Sequence, residues 1–180
     1  MQITSLAQRQ NKMIYELSVL QFSKMLRNLD TILSKIPAYA DHKKIEVDVL
    51  LNSRLAPDQF NLIRQVQIAC DAAKICVSKL TGKDAPVHDD KETSLTQLRT
   101  RISETLQFLT SFQEEDFVNA KDRSVTTPRW EGKTLLGHQY LVQHSIPNVY
   151  FHITTAYQIL RHNGMDVGKK DYLGALPFKA

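Results

Sequence analysis

The stretch Ile63-Arg-Gln-Val-Gln-Ile-Ala-Cys-Asp-Ala-Ala-Lys-Ile-Cys-Val-Ser-Lys-Leu80 decides the fold. Its residues Ile63, Val66, Cys70, Ala73, Val77 and Leu80 fall alternately three and four apart, a mean spacing of about 3.5 that turns one side of a helix toward a shared seam. The same spacing recurs upstream in Tyr15, Val19, Phe22, Leu26, Leu29, Leu33 and Ile36. Downstream it recurs in Leu95, Leu98, Ile102, Thr105, Leu109 and Phe112, and again in Val142, Ile146, Val149, Ile153, Ala156 and Leu160. Four such seams in 180 residues predict an all-α four-helix bundle built as one domain.

The residues between the seams punctuate the bundle. The first helix is expected from Ile14 to Ile36, stopped by Pro37. The connection from Pro37 to Ala56 is long for a bundle and rich in aliphatic residues, so it is expected to cross and pack on the bundle, with a helical turn near Asp48–Asn52; its length makes the first and second helices capable of running parallel. The second helix is expected to open at Pro57-Asp58 and to end near Leu80, with Gly82 as its stop. It carries a second apolar strip, Ile68, Ala72 and Ile75, which the crossover, the insertion before the fourth helix or a second subunit must cover. Lys83 to Glu92 read as a charged loop, and Ser94 with Gln97 as a capping box opening the third helix. Arg123–Thr127 and Lys133–Leu136 predict a small β-hairpin before the fourth helix. That helix starts near Gly137, is kinked or restarted by Pro147 and is capped by His162-Asn163-Gly164. The chain thus divides into a polar extension, 1–12, one bundle domain, 13–174, and a tail, 175–180.

Composition excludes several functions. The net charge is +4, but the basic residues are scattered rather than striped, so no nucleic-acid partner is expected. No apolar run is long enough to cross a bilayer, and Met1–Lys12 lack the apolar core of a signal peptide; no membrane partner is expected, and the cytoplasm is the expected compartment. Cys70 and Cys76 lie about 9 Å apart along a helix, too far for a disulfide, and read as small core residues of a reduced protein.

Chemistry is sparse. Of the six histidines, His42, His88, His138, His144, His152 and His162, no two stand three or four apart, the spacing that lets one helix face grip a metal ion. His152 lies about 70° from the centre of its seam at 100° per residue: it is either a hydrogen-bonded core histidine or a group looking into a pocket. Asp71 reads as an acid pairing with Lys74, and Trp130 as a packing anchor or as a lid over a cleft. No nucleophile elbow, phosphate loop or dinucleotide fingerprint is present.

The segments Leu55-Ala-Pro-Asp-Gln-Phe60, Arg64-Gln-Val-Gln-Ile-Ala-Cys-Asp71, Phe151-His-Ile-Thr-Thr-Ala-Tyr-Gln-Ile-Leu-Arg-His-Asn-Gly164 and Asp171-Tyr-Leu-Gly174 resemble a bacterial and fungal domain family of unknown function in the DinB/YfiT-like superfamily. The resemblance runs from Met13 to Gly174. It implies a four-helix bundle in up-down-down-up order and, in many members, a dimer. In some members it implies a divalent metal held by one histidine of the second helix and two of the fourth, and relatives with that metal include thiol-dependent transferases and isomerases. This chain departs from the metal pattern: Pro57 to Leu80 contain no histidine, and Ala156 follows His152 by four. The expectation is therefore a protein without metal or cofactor, with a binding or interaction role, assembling as a homodimer, with any small-molecule ligand left unknown. The alternative is a metal- or thiol-dependent transferase-like enzyme with a non-standard pocket near His152, formed with Asp71 and Tyr157 under Trp130.

Overall fold

The computed structural model describes residues 6–179. The first rod is α1 (Leu6–Tyr15), a π-helical turn (Glu16–Leu20) and α2 (Gln21–Leu33). It begins ahead of the expected Ile14, so Leu6 to Lys12 of the polar extension are helical; Met1 to Ser5 lie outside the described residues. The longer start accompanies packing: α1 rests against the turn Glu114–Phe117, where the Phe117 ring meets Tyr15 edge-on at 5.9 Å. Pro37 starts a helix instead of ending one: α3 (Ile36–Lys43) holds it in the first turn, where its missing N–H has no partner to lose. The turn expected near Asp48–Asn52 is α4 (Val47–Leu51), which buries Leu50 and Leu51.

The second rod, α5 (Leu62–Thr81), opens at Asn61 and not at Pro57-Asp58, because the Asn61 side chain accepts the Arg64 N–H at 3.1 Å and so satisfies a first-turn donor. It ends at Gly82, whose φ of 79° is the left-handed turn a side chain would strain. The third rod is α6 (Leu95–Thr110), with the expected reciprocal bonds between Ser94 and Gln97. The expected hairpin is present but short: β1 (Ser124–Val125) pairs antiparallel with β2 (Leu135–Leu136), Ser124 opposite Leu136.

The fourth rod is α7 (Gly137–Gln139), a second π-helical turn (Tyr140–Ser145) and α8 (Ile146–His162), with Pro147 in its first turn. The π turn corrects the seam reading: Val142 is exposed, while Tyr140, Leu141 and Ser145 are buried. An extra residue in the turn rotates the helix upstream of Ile146 out of the extrapolated phase. Beyond Gly164 the chain is no loose end, for Met165 and Val167 are buried and α9 (Lys169–Leu173) docks on α2. Asn28 donates to the Tyr172 carbonyl at 2.9 Å, and Lys35 pairs with Asp171 at 2.6 Å.

Cross-links between rods fix their directions. Gln21 with Tyr150, and further along Tyr39 of α3 with the Asn163 carbonyl just past α8, make the first and fourth rods parallel. Gln65 with His152 makes α5 antiparallel to α8 at a seam that also brings Cys76 to Ser145. Asp30 with Arg99, and Tyr15 with Phe117 in the turn that follows α6, set α6 antiparallel to the first rod. The order is up-down-down-up, and the parallel neighbours are α5 and α6 instead of the first and second rods. The segment joining them runs back beside α5, with His88 beside Lys74 and Glu92 beside Gln67.

The core is one apolar cluster lined by all four rods, with both cysteines inside it as free thiols. Ile68 and Ala72 are half-buried and Ile75 is 39 % exposed, so the strip on α5 stays partly open. No described helix is long and apolar enough to cross a membrane.

Candidate functional site

The α5–α8 seam holds the one histidine that is buried among the described residues. His152 is 8 % exposed, and its Nδ1 lies 2.7 Å from Gln65 Oε1. Gln65 is itself fixed, because its Nε2 donates to the Phe60 carbonyl at 3.0 Å. An amide whose nitrogen is committed to a carbonyl presents its oxygen to the ring, and an oxygen can only accept. His152 therefore carries its proton on Nδ1, and Nε2 keeps a lone pair, with no hydrogen-bond partner among the described residues. Burial, assisted by the charge of Arg64, pushes His152 down to about 4, so the ring is neutral at physiological pH. Phe151 meets the ring edge-on at 5.1 Å, and Arg64 lies over the Phe60 ring at 5.9 Å. Both phenylalanines are exposed.

The four residues singled out from the sequence do not converge. Asp71 lies about 120° round α5 from Gln65 at 100° per residue, which turns it to α6: it pairs with Lys74 at 2.9 Å, as its spacing predicts, and also with Arg101 at 2.7 Å. Tyr157 packs edge-on against Tyr172 at 5.7 Å, on the side of α8 toward α9. Trp130 meets Tyr140 at 6.0 Å and His144 at 5.3 Å, so it anchors the hairpin on the π turn and caps nothing at His152. The expected four-residue pocket is thus resolved into separate contacts, with His152 the member left on the α5–α8 seam.

A larger polar assembly lies between α5 and α6. Arg101 is buried, and its guanidinium meets Asp71 at 2.7 Å, Asp90 at 2.7 Å and Glu92 at 2.9 Å. Burial works against the charge of Arg101, but the bonds to Glu92 and Asp90 and the charge of Asp71 together hold it above its ordinary range. Burial likewise disfavours ionised Asp90 and Glu92, and hydrogen bonds outweigh it: Arg64 and Arg101 keep Asp90 low, and Arg101, a backbone bond and Gln67 keep Glu92 low. The sequence reading missed this assembly. Arg101 sits beside Ile102, a seam residue, and the acidic run Asp89-Asp90-Lys91-Glu92 was the available sign of a partner for it.

The donors around His152 do not make a three-histidine metal centre. His152 has an amide as its neighbour on α5 and buried Ala156 one turn later on α8. Among the described residues no group of three or more His, Cys, Asp or Glu is placed to hold a metal ion. One imidazole beside an amide does not fit such a centre.

Rod order and the α5–α8 seam together define a DinB-like four-helix bundle. A crystal structure of a DinB family member protein from Shewanella denitrificans matches this chain with a TM-score of 0.94 and 59% sequence identity, covering 96% of this chain and 98% of that one. Residues 14–173 match the family described as Domain of unknown function (DUF1993), and the chain belongs to that family. No curated protein matches.

Proposed function

We propose that this protein is a non-enzymatic binding member of the DinB-like bundles, acting as a cytoplasmic homodimer without a resident metal and taking a small organic ligand at the α5–α8 seam. The observation that carries the reading is the Gln65–His152 pair. It presents a neutral imidazole with a free Nε2 lone pair beside the Phe151 ring, on a glutamine held by the Phe60 carbonyl and near the charge of Arg64. Such a group accepts a hydrogen bond from a ligand O–H or N–H while the exposed Phe151 ring offers apolar surface beside it. Chemistry at physiological pH favours binding over catalysis, because a base pushed down to about 4 drives proton abstraction poorly. Two buried free thiols fit a reducing compartment. The half-open strip Ile68, Ala72 and Ile75 fits a second copy of the chain.

The test has two readings of the untagged protein. Metal analysis is expected to find no stoichiometric zinc, nickel or iron; one equivalent of any of them overturns the proposal. Thermal-shift screening with metabolites, thiols and metals is expected to find an organic stabiliser, since a ligand bound only to the native state raises its stability. That stabilisation is expected to vanish in His152→Ala; a stabiliser that acts equally on His152→Ala places the site elsewhere.

A further inference from the structure

The connection between the parallel rods α5 and α6 is bound in an unusual way. From Lys83 to Thr93 it forms neither helix nor strand, and Val87, its one branched aliphatic residue, is 88 % exposed. No side chain of this strap is buried in the core. Its grip is ionic. Asp90 pairs with Arg64 of α5 and, at 2.7 Å, with Arg101 of α6. Glu92 accepts from Arg101 at 2.9 and 3.1 Å and from Gln67 at 2.8 Å. Lys74 donates to His88 Nδ1 at 2.7 Å, and His88 Nε2 faces Glu104 at 3.2 Å.

The strap also completes the charge of the bundle. The side chains of Arg101 and Lys74 are only 1% and 4% exposed, and both share Asp71. Without Asp90 and Glu92, two desolvated cations would face that one carboxylate. Burying paired ions costs much of what their attraction returns, so a lifted strap that readmits water to both cations recovers part of the lost attraction as hydration. A shallow cleft of about 240 Å³, lined by Glu92, Thr96, Gln97, Thr100, Arg101 and Glu104, already lies between strap and α6.

We propose that the Lys83–Thr93 strap is a charge-operated latch, which lifts from α5 and α6 with the four rods intact when Asp90 and Glu92 release Arg64 and Arg101. Its ends stay tied at Gly82 and Ser94, so lifting uncovers a groove carrying Arg64, Lys74 and Arg101 without separating the rods.

The test is a distance measurement by double electron–electron resonance between nitroxides on Val87→Cys and Thr31→Cys. Both positions are exposed, and the native thiols are buried and pushed up to about 12 by that burial, so they do not compete for the label. In about 0.1 M salt one narrow distance is expected. In about 1 M salt, which shortens the screening length from about 10 Å to about 3 Å, the distribution is expected to broaden several-fold with helical circular dichroism unchanged. The same broadening is expected at low salt when Asp90→Asn and Glu92→Gln are added. A distribution that stays narrow in high salt, or that broadens only as helix is lost, overturns the latch. The salt arm decides alone if the four-substitution protein does not fold.

Discussion

His152 folds neutral, and that choice is expected to show in stability. Its ordinary value near 6.5 applies to the unfolded chain, and the folded value is about 4. Between these values the unfolded chain binds more protons, so stability rises with pH. This contribution is fully present above about 6.5 and is lost as pH falls toward 4, an effect of up to about 3 kcal/mol. Chemical denaturation at both ends of that window is expected to show a smaller loss in His152→Gln than in the native protein. Gln65→Glu is expected to move the ring the other way, raising its value toward neutrality through the added carboxylate, as read by a nuclear magnetic resonance titration of the His152 ring. His152 was legible as a boundary residue because helical phase places it. Gln65 was not, because an amide one step from a seam has no preferred partner until the facing helix is known. Asp71 was half legible: local spacing foretold Lys74, but Arg101 reaches it from another rod.

Elements are set by their ends and by close approaches. The capping box of α6 was readable from Ser94 and Gln97 alone, since both bonds are local. Ser94→Ala is expected to cost about 1 kcal/mol in urea denaturation. Gly137 is a different constraint: a Cβ there would lie 1.9 Å from the Ala120 carbonyl oxygen and 3.1 Å from Leu80. Gly137→Ala must displace backbone, and a loss of about 1–3 kcal/mol is expected by the same measurement. Nothing local announces that contact, since Ala120 reaches the start of α7 through the hairpin. Proline misled for a related reason. Pro37 blocks a helix arriving from upstream but suits the first turn of a new one, and only the packing of α3 decides between these uses.

For the whole molecule, periodicity carried the architecture because burial of four apolar stripes has few solutions. The direction of each rod was less accessible, since it rests on long-range links such as Gln65 with His152 and Asp30 with Arg99. Self-association is tested at this scale. Light scattering is expected to give a dimer mass, and Ile75→Glu, on the half-open strip of α5, is expected to shift it to monomer with the helical spectrum retained; a native protein that is monomeric at high concentration removes the dimer. The π turns Glu16–Leu20 and Tyr140–Ser145 have a consequence for how this chain tolerates change in length. Each spends one residue more than an unbroken α-helix needs for the same rise. Loss of one residue there can be absorbed by closing the wide loop, whereas loss of one residue inside α5 swings everything beyond it by about 100°. Single-residue gaps between this protein and its kin therefore belong in these two turns, where the rods can shrink without losing their facing.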